Sequence, residues 1–261
     1  MKRIIAVALY FGLLAFLGGA LAERNGYLDS FIARDSEAAV AAGPPRVVHY
    51  RAVLAAGDAS IDNFDNATLA LANRLERVGV ETRLLTSDQD KVADWRSLAT
   101  AQGIDVLFNR MELKEGDGCL IFITSHGSTA GLSMSADVEE YGVLTPKRLA
   151  GILTRHCGRF PTVAILSGCH TGTFLTPEME ADNRIILTAA RRDRTSFGCS
   201  SDYSFTRFDE CLLEAMGDAG TWAAIFARTK ACVEAKEGVL NAAASFPQAY
   251  FGASVMDLGI E

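Results

Sequence analysis

A thiol and an imidazole stand at matching points of two apolar runs, Cys119-Leu-Ile-Phe-Ile-Thr-Ser-His126-Gly127 and Thr162-Val-Ala-Ile-Leu-Ser-Gly-Cys169-His170-Thr-Gly172. A buried strand ending in His-Gly, followed by one ending in Gly-Cys, brings both groups to one rim of a parallel sheet, where α/β enzymes place their chemistry. Thiolate is a strong nucleophile, and backbone N–H groups at a turn or helix start both stabilise it and receive an oxyanion. Gly127, Gly168 and Gly172 leave room around that point. A carbonyl held there can be attacked by Cys169, held by two amides, and have its leaving amine protonated by His126, which is acyl transfer. The bland alternative for Cys169 is a buried inert thiol, the commonest fate of a free cysteine. The His-Gly strand end in the preceding β-α unit favours the catalytic reading. His170 adjoins Cys169 in sequence, so its side chain is expected to point elsewhere. His156 falls in the last turn of a helix, where it suits the dipole, and His49 reads as a strand-edge residue.

The elements that must position this pair alternate along the chain. Tyr50–Gly57 is a first strand; a helix with Leu71, Ala72, Leu75 and Val78 on its apolar face is stopped by Gly79; Val80–Thr86 is a second strand. Residues 92–113 read as helical with an interruption near Gly103. Gly116-Asp-Gly118 then turns the chain into the strand leading to His126, and Gly127–Ser135 reads as a loop. Thr145-Pro146 caps and opens a helix that Gly158 ends. After the strand to Cys169 come a loop and short helix, a strand at 184–190, helices at about 204–216 and 220–237, and a last strand at 248–255. Such alternation predicts a three-layer α/β/α sandwich with a mainly parallel central sheet.

Lys2 and Arg3, an apolar block at 4–17 and Ala20-Leu-Ala22 read as a signal peptide over 1–22, cleaved before Glu23. Residues 23–45, Ala-rich and ending in Gly43-Pro44-Pro45, read as a linker or possible pro-segment, with Asn25 a conceivable self-cleavage point; 46–261 is the remaining domain. The expectation is export to a periplasmic or extracellular location, without stable membrane insertion after cleavage. A net charge of −7 argues against nucleic acid or an anionic membrane as partner. Without Cys-x-x-Cys or paired histidines, neither a metal site nor a cofactor is expected. Six cysteines, with Cys169 kept free, allow at most two disulfides and leave one further thiol unpaired. The sequence leaves the pairing and the oligomeric state open.

The His126-Gly127 and Cys169 blocks resemble the legumain-type cysteine peptidases, relatives of the caspases. Thr188-Ala-Ala190 with Thr195-Ser-Phe-Gly-Cys199, and Phe246-Pro-Gln-Ala-Tyr-Phe-Gly252, extend the resemblance, the latter to the closing strand of bacterial members, so that it covers about residues 50–255 with blocks in the same order. It implies a caspase-like fold, a thiol acyl-enzyme with Cys169 as nucleophile and His126 as proton donor and acceptor, an oxyanion hole from the amides of Gly127 and Cys169, and a peptide or protein substrate cut after asparagine or, less readily, aspartate. Two departures bear on that preference. Ser167 stands where the family commonly carries an acidic pocket residue, and Ser60–Asn66 lacks the expected arginine. Selectivity is therefore expected to be changed or weakened. Asn63 and Asp65 are candidates to orient His126 or line the pocket, and Ser196 and Glu210 fall where family pocket residues would; for each of the four, a capping or surface role is an equal alternative. Arg191, Arg192 and Arg194 form a basic loop, either a solvated turn or a grip on a substrate's acidic or C-terminal group. A transpeptidase using the same pair, and a catalytically silent α/β binding protein, are the alternatives to hydrolysis.

Overall fold

The computed structural model describes residues 45–92, 97–135, 142–218 and 220–260. The signal peptide, its cleavage point, Asn25 and nearly all of the linker lie outside the described residues. In chain order the elements are β1 (Arg46–Val47), β2 (His49–Ala56), α1 (Asn63–Arg77), β3 (Glu81–Thr86), α2 (Ala101–Arg110), β4 (Asp117–Thr124), β5 (Gly127–Ser128), β6 (Gly131–Ser133), β7 (Val143–Leu144), α3 (Pro146–Cys157), β8 (Thr162–Ser167), β9 (Arg184–Thr188), α4 (Arg207–Ala215), β10 (Gly220–Thr221), α5 (Trp222–Val239), β11 (Gln248–Phe251) and β12 (Leu258–Ile260).

Six strands form the central sheet in the order β11-β9-β8-β4-β2-β3, all parallel except β11. Every residue of β4 and β8 is buried, as the near-continuous apolar runs of a doubly covered parallel sheet demand. Alternation sorts those side chains onto two faces. Leu54, Leu120, Phe122, Val163, Ile165 and Leu187 pack beneath α1, α4 and α5 through Leu71, Leu75, Phe208, Leu212, Trp222 and Ile225. Val53, Ile121, Ile123, Ala164 and Leu166 pack on the other face beneath α2 and α3 through Ile104, Phe108, Leu149, Ile152 and Leu153. The result is the expected α/β/α sandwich.

Four helices start on a threonine whose side chain accepts a backbone N–H three residues on: Thr100 from Gly103, Thr145 from Arg148, Thr206 from Asp209 and Thr221 from Ala224. Two expectations need correction. The interruption expected near Gly103 lies just before it, at 97–100, and α2 runs through Gly103, which is small because a Cβ there would sit 2.5 Å from the carbonyl oxygen of Leu98. Nor is 127–135 an open loop, since β5, β6 and β7 form a small antiparallel sheet. Strands of two or three residues leave no period to read. For the same reason β1, β10 and β12, which form a third small sheet, escape the sequence pattern. The last central strand, β11, is shorter than 248–255.

Disulfides join Cys119 to Cys157, tying the start of β4 to the end of α3, and Cys211 to Cys232, tying α4 to α5. Cys169 and Cys199 remain free, so the count of two bridges and one further thiol holds.

Candidate active site

Parallel register makes the two reactive groups level. Thr124 pairs with Ser167, and the Ser125 N–H donates to the Ser167 carbonyl at 3.1 Å. His126 and Cys169 each lie two residues beyond their strand ends, on neighbouring strands. The chain segments beyond those ends touch: a Cβ on Gly127 would lie 2.0 Å from the Cys169 carbonyl oxygen, and one on Gly168 would lie 2.6 Å from that of Ser125. Only glycine permits this approach.

The small sheet aims the backbone at the same place. The Ser133 N–H donates to the His126 carbonyl at 2.8 Å, and Gly127 pairs with Leu132. Because hydrogen-bonded pairs alternate along an antiparallel ladder, Gly127 occupies a non-bonded pair and its N–H turns away from β6. The Ser125 hydroxyl, donating to the Ser133 carbonyl at 2.7 Å, fixes the hairpin to the end of β4.

The His126 ring packs edge-on against Phe64, centroids 5.2 Å apart, with Nε2 3.3 Å from the Ser60 hydroxyl. Ser60, not Asn63 or Asp65, is thus the polar partner of the imidazole. Across the cleft the Ser196 N–H donates to Cys169 Sγ at 3.3 Å, and the thiol lies 3.6 Å from the Ser196 carbonyl. Cys169 is half-buried, reachable without being fully solvated. Beyond it the chain turns sharply, with His170 left-handed at φ 60° before the single 3-10 turn Thr171–Phe174. Backbone strain of this kind collects at functional turns. The His170 side chain meets the Arg192 carbonyl at 3.1 Å, away from the sulfur, and His156 is held by Asp105 at 3.0 Å.

The four candidate pocket residues separate. Ser196 touches the sulfur. Asn63 is buried, and its Nδ2 donates to the Gly198 carbonyl at 2.8 Å while its Oδ1 has no partner. Asp65 is paired with Lys91 at 2.9 Å and Glu210 with Arg207 and Lys236 at 2.9 and 3.0 Å, so both serve ion pairs. Ser167 is fully buried, its hydroxyl 3.4 Å from that of Thr206.

Sequence reasoning missed the acid that faces Ser167. Asp209 on α4 is fully buried and accepts a hydrogen bond from the Thr124 hydroxyl at 2.7 Å; the hydroxyls of Ser167 and Thr206 face the same carboxyl, while its Oδ1 has no partner at hydrogen-bond distance. Burial pushes its pKa up to about 6. The available signal was the Thr206-x-x-Asp209 cap, which pins the third helical residue close to the sheet ends. Cys199 lies within electrostatic reach of Cys169 and Asp209, and burial pushes its thiol up to about 12. A cavity of about 620 Å³ among the described residues is lined by Arg51, Arg83 and Arg110 and includes neither His126 nor Cys169.

A parallel sheet that brings cysteine and histidine to adjacent strand ends, with a backbone N–H left out of the neighbouring ladder, is the arrangement of a cysteine peptidase of caspase-like fold. The crystal structure of caspase-1 from Spodoptera frugiperda matches this fold with a TM-score of 0.58 over 80% of this chain and 88% of that chain, at 12% identity. Residues 99–225 match the model of the Peptidase C13 family, a span that includes His126, Cys169, Ser196 and Asp209. The chain is a cysteine-type endopeptidase, similar over that span to the Peptidase C13 family. No curated protein matches the sequence.

Proposed function

We propose that Cys169 is the nucleophile and His126 the proton carrier of an exported endopeptidase that cuts after a residue bearing a small polar side chain, asparagine first. The Cys169 sulfur attacks the scissile carbonyl carbon; the negative charge on its oxygen is received by the N–H groups of Gly127 and Cys169; His126 hands a proton to the departing amine. Water then attacks the thioester, giving its proton to His126, and the sulfur leaves as thiolate, restoring the thiolate–imidazolium pair that began the cycle. The observation carrying this reading is the level placement of Cys169 and His126, with the Gly127 N–H turned out of its ladder.

Asparagine is supported by the acceptors around the Ser196–Thr206 segment. Asn63 Oδ1 and Asp209 Oδ1 are buried without partners, and a carboxamide brings two N–H donors that such acceptors lack. Aspartate would meet the ionised Asp209 at neutral pH and is admitted as that carboxyl takes up its proton near pH 6. Export is supported by the N-terminal Lys2–Ala22 pattern and by two disulfides, which persist in oxidising compartments.

Profiling the purified protein on a mixed peptide library at pH 7.5 and pH 5 tests the reading. Cleavage after asparagine at both values, joined by aspartate at the lower one, is expected. His126→Ala should cut kcat/KM by about 10²–10⁴, the usual worth of a positioned acid-base group. Full activity in that variant, or in Cys169→Ala, refutes the assignment.

A further inference from the structure

On the side of Cys169 away from His126, the chain leaves β9 as Arg191-Arg192-Asp193-Arg194, three arginines to one aspartate in a protein of net charge −7. This cationic turn is fastened to the Cys169 loop. The His170 N–H donates to the Arg194 carbonyl at 2.8 Å, the Arg192 carbonyl meets the His170 ring at 3.1 Å, and the Gly172 N–H donates to Ala190 at 2.7 Å. Two residues after Arg194, Ser196 holds the sulfur. From the other side the turn is clasped to Phe246: the Arg191 N–H donates to the Ser245 carbonyl at 2.8 Å, and the guanidinium groups of Arg191 and Arg194 lie 4.9 and 5.5 Å from the Phe246 ring centre.

Phe246 itself is unusual. A bulky aromatic at φ 55° is a backbone outlier, and 39% of it is exposed. Strain of this kind persists where the surroundings over-determine it, and it clusters at ligand clamps. Asp193 is committed to Arg191, and among the described residues neither Arg192 nor Arg194 meets a carboxylate within salt-bridge distance. A peptide laid across the strand ends in the order β9, β8, β4 passes this platform on one side of the sulfur and His126 on the other.

We infer that Arg192 and Arg194, the latter braced on Phe246, form a subsite that binds a carboxylate of the peptide substrate and so directs cleavage toward acidic sequences or chain ends. The inference rests on the peptidase reading above, and it adds a requirement at a position beside the cleaved bond.

The test takes a peptide cleaved in the library and remakes it with Glu or Gln at each of the positions flanking the bond, each with a free or an amidated C-terminus. One Glu member, or the free-acid member, should be cleaved about two- to fivefold better than its neutral twin at low ionic strength, an advantage that high salt removes. The first outcome assigns the subsite to an acidic side chain, the second to a chain terminus. In the Arg192→Gln/Arg194→Gln double variant the ratio should fall to about one, as for a lost exposed ion pair. Equal rates for every pair in the unaltered enzyme overturn the inference while leaving the peptidase reading intact. Fluorescence anisotropy of a labelled Glu-rich peptide and its Gln twin on Cys169→Ala protein separates the two ideas. Preferential, salt-sensitive binding of the Glu form, lost in the arginine variant, supports the subsite even if no peptide is cleaved, in which case the peptidase reading alone fails; equal binding of both forms counts against the subsite.

Discussion

Asp209 gives the sharpest quantitative test of how this site is built. Its carboxyl is fully buried, and burial lifts its pKa from 3.8 to about 6. Between these values the unfolded chain has released the proton while the folded chain keeps it, so the folded state binds more protons and stability falls as pH rises. The loss begins near pH 4 and is complete above pH 6; about two pKa units at 1.36 kcal/mol each give about 3 kcal/mol. An asparagine side chain in its place would have the same shape, could still accept from Thr124, and has no charge to bury. Asp209→Asn is therefore expected to match the parent near pH 4 and to exceed its stability by up to about 3 kcal/mol at pH 8. Urea unfolding followed by tryptophan fluorescence, disulfides intact and in a Cys169→Ala background to prevent self-digestion, measures both proteins at both pH values. Because other titrating groups are shared, only the difference of differences matters. Parallel pH profiles for the two proteins would refute the idea that a buried, costly carboxyl is maintained beneath the site.

Other outcomes follow from contacts nearer the sulfur. Gly127→Ala places a methyl 2.0 Å from the Cys169 carbonyl oxygen and should abolish turnover while the far-ultraviolet circular dichroism is kept; wild-type kcat/KM in this variant would show that the close approach is unnecessary. Iodoacetamide on native protein should label Cys169 well before Cys199, whose thiol is pushed up to about 12 by burial, and peptide mapping reads the order directly. Thiol titration of the unfolded, unreduced chain should find the two free thiols alone. Loops of 38 and 21 residues make each bridge worth about 3–4 kcal/mol by chain entropy, so reduction should lower the urea midpoint markedly; no shift would contradict the pairing.

Much of this was legible because the sheet is buried on both faces. The runs through β4 and β8 are apolar at nearly every position, and the first polar reactive residues beyond them, His126 and Cys169, stand out against that background. Gly103 misled because a glycine within helical periodicity looks like a break, whereas its reason is the tertiary approach of Leu98. The hairpin after His126 carries too few residues per strand to show alternation, yet it decides which way the Gly127 N–H points. Asp209 and Glu210 are adjacent acids of one chemistry. A rotation of about 100° along α4 buries the first against Thr124 and sends the second to Arg207 and Lys236, and the sequence does not mark which of the two faces the sheet.

That rotation also bears on Ser167. The legumain resemblance expects an acid at this position of β8, and its absence reads as a lost pocket charge. Asp209 reaches the same spot from α4, its carboxyl facing the Ser167 hydroxyl. Two carboxylates sharing one buried point cannot both ionise cheaply, and a serine at 167 spares Asp209 that repulsion. The acid here is carried by a capped helix end and held by the Thr124 hydroxyl. On the proposed reading of the pocket, the carboxyl that titrates near pH 6 lies on α4, so the pH dependence of residue preference should follow α4 and not the Cys169 strand.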